Sequence, residues 1–476
     1  MSGSVSGRVL KAMGLFGGVR MLHILFGVIR VKLIALWLGP AGVGLFGIFN
    51  NAVDTVRSLS QLGLSSSSVR EIASQPSQSL RALTVVVVRR WGWILGLAGA
   101  VLMAAGAPLL SRWTFGSSDH ALAYMALASA IFLLSVNGVG EAVLQGLGEL
   151  RRLAKASVWG AGVGLVVSIP LYYFWGLSSV VPSIIAYAGA TCFFTLYFGP
   201  RGLGAPQPVS ASETLSIGRR LIILGIYMTA ADFISQAMSY VFIAWLNVRG
   251  GDSEVGFYQA GYTVVNRYVG LIFAAIATEY YPRLSRVAGS AMRLRVFVAH
   301  EMRLLLLLLL PAVLFLIALA PYVVNILYDS RFASSVPFIT IAMAGVVLRG
   351  VSYSMSYVIL AKGDGRTFLM TESLSAVAGL ALNIICYRWW GMAGLGVSYT
   401  LWYLLYVIII AWVYCVRYSQ SIPPRLVLFV VLTLCLTVGA IVAASITSPL
   451  FMLIPAVISG LLSLRSLHRL LINKRK

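Results

Sequence analysis

Apolar residues in this chain come in blocks of about twenty, separated by short segments that carry Gly, Pro, Ser and Arg. A bilayer core of ~30 Å is crossed by ~20 apolar residues in a helix. A membrane barrel would instead alternate over ~10-residue strands, and no such alternation is visible. The blocks predict fourteen helices, at 13–38, 41–64, 83–108, 121–147, 153–175, 178–198, 220–246, 256–280, 302–328, 334–361, 367–387, 392–415, 426–447 and 450–465. The expectation is an all-α polytopic membrane protein with almost nothing outside the bilayer.

Composition supports this and adds an orientation. The chain has 476 residues, 59% hydrophobic and 11% charged, where a soluble domain carries about 25% charge. Its 36 basic against 14 acidic residues give a net charge of +22. The basic residues punctuate apolar runs rather than cluster on a soluble face, so no nucleic-acid partner is expected. With the N-terminus inside, the cytoplasmic segments hold twenty-six Lys and Arg and the outer segments four: Arg112, Arg249, Arg331 and Arg388. The positive-inside rule therefore puts both termini in the cytoplasm. The first residues lack a small-residue cleavage site after a short apolar core and read as a lead into the first span. Cys192, Cys386, Cys415 and Cys435 form no CxxC pair, and the four histidines have no metal-ligand spacing, so neither disulfide framework nor metal is expected.

The two halves resemble each other. LGPAGVGLFG (38–47) matches SEVGFYQAGY (253–262) at an offset of 212. VREIAS (69–74) then falls on YPRLSR (281–286), GLGELRRLAK (146–155) on AKGDGRTF (361–368), and FWGLSS (174–179) on WWGMAG (389–394), the last two at 215. Spans 1–6 and 7–12 thus read as parallel repeats, an arrangement of transporters with a mid-membrane site. The expected domains are a lobe over 1–200, a linker over 201–219, a second lobe over 220–416, and appended spans with a basic tail over 417–476.

Six basic residues remain within spans: Arg20, Arg30, Lys32, Arg57, Arg267 and Arg349. An ionisable group costs about 3 kcal/mol at the bilayer centre on insertion scales, so it must face protein or water. Arg20, His23, Gly27 and Arg30 share one helical stripe, and Arg20 and Lys32 are near enough to span ends to snorkel. Arg267 and Arg349 are at mid-span, where snorkelling is poor. Asp54 and Asp232 are the deep acids, read either as counter-ions or as ion-coupling groups. Glu141, Glu279 and Glu372 lie near span ends, within reach of cytoplasmic arginines; Glu141 also joins the coupling candidates. A lumen with this balance selects anions, and guanidinium forks fit phosphate or diphosphate oxygens. Tyr227, Tyr240, Tyr262, Tyr268, Tyr353 and Tyr357 are deep enough either to face the same lumen or to hydrogen-bond between helices. No catalytic constellation and no phosphate-binding GxxxxGK[ST] loop appears, so a non-enzyme is expected.

The LGPAGVGLFG turn after a basic first span, the VREIAS exit with its YPRLSR partner, and the two-lobe plan resemble the Wzx-type O-antigen and polysaccharide flippases. These belong to the multidrug/oligosaccharidyl-lipid/polysaccharide (MOP) exporter superfamily. The resemblance covers residues 8–416; spans 13–14 depart from the twelve-helix members toward the lipid II flippases. It implies a MATE-like fold and movement of an undecaprenyl-diphosphate-linked oligosaccharide from the cytoplasmic to the periplasmic leaflet by alternating access. It further implies a bacterial inner-membrane location, no cofactor beyond a proton or sodium gradient, action as a monomer, and other polysaccharide-assembly proteins as partners. The family's cavity arginines map onto Arg20, Arg30, Arg57 and Arg267. A lipid II flippase is one alternative. A cation-coupled multidrug exporter is another, and it predicts an acidic lumen. A membrane glycosyltransferase predicts a large outer loop, and a non-transporting scaffold predicts no flux.

Overall fold

The computed structural model describes residues 3–200, 209–446 and 459; side chains are described from residue 21 onward, except at 66, 211, 219–228, 274, 275, 277–279 and 282. Span 14, the basic tail and the first part of the linker lie outside the described residues. The described chain is helical, with twelve α-helices: α1 (Gly3–Gln61), α2 (Leu64–Ser74), α3 (Gln78–Phe115), α4 (Ala121–Gly146), α5 (Leu150–Trp175), α6 (Val180–Tyr197), α7 (Ala211–Tyr262), α8 (Gly270–Val287), α9 (Ala291–Leu327), α10 (Val336–Ala361), α11 (Gly365–Trp412) and α12 (Pro424–Ile446). Eight segments among them are long and apolar enough to cross a membrane. Three of the eight, 21–61, 150–197 and 365–417, each take in two of the fourteen spans read from the sequence; the seventh and eighth expected spans are not among the eight.

The breaks between paired spans fall at glycines. Gly39, Gly251 and Gly391 interrupt α1, α7 and α11 with φ of 67°, 75° and 57°, and Gly176 (φ 55°) separates α5 from α6. All four combine positive φ with nearly extended ψ, a conformation essentially reserved for glycine. At Gly391 the chain doubles back: the Trp402 indole N–H donates to Ser375 Oγ at 2.8 Å, and Ser398 Oγ donates to Asn383 Oδ1 at 2.6 Å. Residues 27 apart would lie ~40 Å apart on a straight helix. The internal repeat is present in the backbone. Gly39 and Gly251 are 212 residues apart, and Gly176 and Gly391 are 215 apart. Helices α4 and α10, each 26 residues, also begin 215 residues apart.

Contacts divide the chain into Met1–Gly256 and Phe257–Lys476. The end of the linker and the start of α7 group with the first unit, because that segment is tied to α3. Arg90 donates to the Val209 carbonyl (2.8 Å) and to Thr214 Oγ1 (3.0 Å), and the Trp91 indole donates to the Thr214 carbonyl (2.8 Å). Farther along, the Tyr240 hydroxyl joins those of Thr114 and Tyr124, and Asn247 donates to the Thr114 carbonyl. Within the first unit α4 packs against α1, α2, α3 and α6; within the second, α10 packs against α8, α9, α11 and α12. The outer faces are apolar, with Leu109, Leu122, Phe174, Ile326 and Ile446 each at least 70% exposed. That is the surface lipid requires, since tails offer no hydrogen bonds.

Candidate functional site

In the first unit Arg30 is turned into the lobe and is 8% exposed. Its Nε donates to Tyr172 Oη (3.1 Å) and its Nη2 to the Ser183 carbonyl (3.2 Å). The guanidinium lies between two rings, 4.7 Å from the Phe46 centroid and 4.5 Å from that of Tyr187. Among the described residues it has no carboxylate partner. The ring quadrupoles and two neutral acceptors replace water around the ion instead. His23 and Gly27, expected to continue the stripe, are exposed, and Arg20 has no described side chain. Lys32 is half-buried.

Arg57 is half-buried and lies over Gly138 of α4; a Cβ there would come within 2.8 Å of Nη2. One turn on, Glu141 accepts from Asn137 Nδ2 (3.3 Å), and Asn137 Oδ1 accepts from Thr195 Oγ1 (2.7 Å). Arg57 is also within electrostatic reach of Glu141. Glu141 therefore sits in a polar chain across α4 and α6 rather than in a surface pair. Gln61 Nε2 and Ser65 Oγ, both near Gly138, are buried with no hydrogen-bond partner. Asp54 and Asp232 are exposed. An exposed charge in mid-span faces water, because facing hydrocarbon is prohibitive.

In the second unit Thr263–Tyr268 forms one π-helical turn. Such turns shift the register by a residue and frequently mark functional sites. Here the turn points Asn266 inward and leaves Arg267 exposed. Asn266 Oδ1 accepts from Arg349 Nη1 (3.0 Å) and from the Tyr399 hydroxyl (3.2 Å), while its Nδ2 is buried without a partner. The Arg349 guanidinium lies 4.9 Å from the Phe273 centroid and 5.9 Å from that of Tyr403. No carboxylate pairs with Arg349 among the described residues. Both Arg349 and Arg267 act electrostatically on Tyr262.

The sequence-read residues thus take three settings. Arg30 and Arg349 are caged by aromatics, Arg57 and Arg267 are open or half-open, and Glu141 is held in a hydrogen-bonded chain. Sequence reasoning missed Tyr172, Ser183, Tyr187, Asn266 and Tyr399. A π-turn leaves no periodic signature, and single polar residues in apolar helices look alike until they are packed. Glu372, read as a surface pair, takes a hydrogen bond from the buried Tyr406 across the fold of α11. Of the deep tyrosines, Tyr240 ties helices together, Tyr262 and Tyr353 lie within electrostatic reach of Arg349, and Tyr357 packs on Tyr353.

At the exit of α10 lies a further cluster. Asp364 caps α11 through Thr367 and pairs with Arg417 at 2.7 Å, and the Tyr418 hydroxyl donates to it at 3.1 Å. Burial pushes the Asp364 carboxyl up, but the hydrogen bonds from Thr367 and Arg417 outweigh it and hold it down at about 2.

Residues 33–337 match the sequence family described as "Polysaccharide biosynthesis protein". The "Putative O-antigen transporter" of Shigella flexneri is 24% identical over 392 residues, covering 80% of this chain and 91% of that protein. The "Lipid III flippase" of Escherichia coli K12 is 22% identical over 410 residues, covering 80% and 92%. Among solved structures, the lipid II flippase MurJ in an inward closed conformation superposes with a TM-score of 0.72 at 12% identity, over 96% of this chain and 99% of that one. An inward-facing multidrug resistance MATE family transporter of the MOP superfamily gives 0.68 at 17%, over 82% and 93%.

Proposed function

Because this chain belongs to the polysaccharide biosynthesis protein family and has the fold of MOP-superfamily transporters, we propose that it is a flippase for a lipid-linked oligosaccharide. The substrate is an undecaprenyl-diphosphate-linked repeat unit of O-antigen or another surface polysaccharide. Its polar head passes by alternating access from the cytoplasmic to the periplasmic leaflet of the inner membrane while the tail stays in lipid. The protein works as a monomer with both termini cytoplasmic, alongside other polysaccharide-assembly proteins. Its named relatives are transporters and flippases, and it is a transporter rather than an enzyme.

The observation that carries this reading is that Arg30 and Arg349, both within spans, are held by aromatic rings and neutral acceptors with no carboxylate partner among the described residues. We assign diphosphate contacts to Arg267, exposed on the π-turn of the second unit, and to the half-buried Arg57 of the first. Arg30 and Arg349 each supply positive potential within their own unit from inside their cages, and Arg20 and Lys32 are the remaining basic residues of the first span. A desolvated guanidinium–phosphate pair is strong and bidentate. A cationic drug would be repelled by the same field, so the multidrug-exporter alternative is disfavoured. Coupling to a proton or sodium gradient is assigned to Glu141, Asp54 and Asp232. A lipid II substrate is the second reading, favoured by the match to MurJ over 96% of this chain.

Reconstituted in liposomes, the protein should flip a polyprenyl-diphosphate-linked sugar. Arg267→Glu should reduce flipping to background while inserting normally. Wild-type rates in that variant would refute the cationic-site reading. Comparing a surface-polysaccharide repeat unit with lipid II in the same assay separates the two substrates.

A further inference from the structure

We infer that α10 carries the binding track for the sugar portion of the substrate, running from Arg349 toward the C-terminal end of the helix. The inference rests on the flippase reading and concerns the same path. Between Ala342 and Leu360 every residue of α10 is buried except Arg349, Tyr353, Ser356, Tyr357 and Leu360. Their spacing of i, i+4, i+7, i+8 and i+11 places them on one helical face. A lipid-facing helix exposes its apolar side; α10 buries its apolar side and opens a stripe that is polar in four of its five residues. The five residues are half-buried, and a mostly polar stripe left partly open on a spanning helix fits a lining for polar cargo rather than a lipid face.

The rings along the stripe are continuous. Arg349 lies over Phe273, Phe273 is 5.2 Å from Tyr353, Tyr353 is 4.6 Å from Tyr357, and Tyr357 meets Tyr281 of α8 edge-on at 6.0 Å. Tyr281 is 41% exposed. The Tyr353 hydroxyl donates to the Phe273 carbonyl at 2.9 Å, which fixes its ring in place. Fixed, half-exposed tyrosines next to a serine suit a pyranose. Its C–H face lies on a ring, and its hydroxyls donate to Ser356 Oγ, whose own proton goes to the Tyr353 carbonyl, and to the Tyr357 phenol oxygen. Rigid tyrosines do this at low entropic cost. Eight residues from Arg349 to Tyr357 rise ~12 Å. A diphosphate held at the mid-depth arginines would therefore extend its first sugars along this face toward Lys362 and Arg366. An acyl chain is a poor occupant, because it would lie against the Arg349 guanidinium and leave the remaining lone pairs of Ser356 and Tyr357 without donors.

The test uses the full chain in nanodiscs and two probes: farnesyl diphosphate, and farnesyl diphosphate bearing one N-acetylglucosamine. Tyr357→Leu and Tyr281→Leu should each weaken the sugar-bearing probe about tenfold, the upper range for one aromatic contact. Binding of the bare diphosphate should change less than about twofold, and Tyr357→Phe, which keeps the ring, should weaken the sugar-bearing probe less than Tyr357→Leu does. Equal loss of both probes, or no loss of the sugar-bearing one, would overturn the track. If Tyr357→Leu fails to fold, the exposed Tyr281→Leu decides the matter alone. Failure of the flippase reading looks different: the wild-type protein would not bind bare diphosphate, or Arg267→Glu would bind it undiminished.

Discussion

Arg30 and Arg267 are the same residue type, each within an expected span, yet their surroundings differ. Arg30 is sandwiched between Phe46 and Tyr187 and bonded to Tyr172, so its removal takes away cation–π contacts made out of water. Arg30→Ala should cost about 2–4 kcal/mol, taking ~2 kcal/mol for each desolvated ring contact, and lower the thermal midpoint in detergent by several degrees. Arg267→Ala, at an exposed position, should leave the midpoint in place and abolish flipping. Two glycines make a second contrast. A Cβ on Gly138 meets only the far end of Arg57, which can move, whereas a Cβ on Gly44 would sit 1.8 Å from the backbone oxygen of Asp252. Gly138→Ala should therefore fold normally and weaken diphosphate binding by displacing the guanidinium. Gly44→Ala should destabilise by at least the ~1–3 kcal/mol typical of overpacking. Unfolding curves and binding isotherms on the two variants check this.

At the scale of elements, the four glycine breaks and the Asp364 cluster decide how helices end. Gly176 has open space around its would-be Cβ, so Gly176→Ala isolates the backbone strain. A loss of about 1–3 kcal/mol is expected from φ alone, measurable by denaturant titration. Asp364 joins the cap of α11 to Arg417 and Tyr418 just beyond it. Its folded carboxyl is held at about 2, below the ordinary value of 3.8. A depressed acid stabilises the fold above its unfolded pKa, and that contribution disappears as pH falls through the folded one. Asp364→Asn should thus lower the thermal midpoint at pH 6, and the gap to wild type should close between pH 4 and 2. A gap that stays constant across that window would assign the cluster a purely steric role.

For the whole molecule, the membrane class, the two-fold repeat and the cationic bias are carried by one-dimensional signals. Hydropathy blocks, Lys and Arg asymmetry and repeated glycine turns survive without any knowledge of packing, because bilayer thickness and backbone sterics act on local sequence. Even the repeat offsets of 212 and 215 reappear at the structural glycines. Tertiary packing alone decided the environment of each charge. It sorted Arg30 and Arg349 into aromatic cages, drew Glu141 and Glu372 into interior hydrogen bonds, and tied the start of α7 to α3. It also turned α10 so that its one open face is polar. The physical reason is that a charge within a span states its cost in the sequence, whereas the groups that offset the cost come from helices more than a hundred residues away, as Tyr172 and Ser183 do for Arg30.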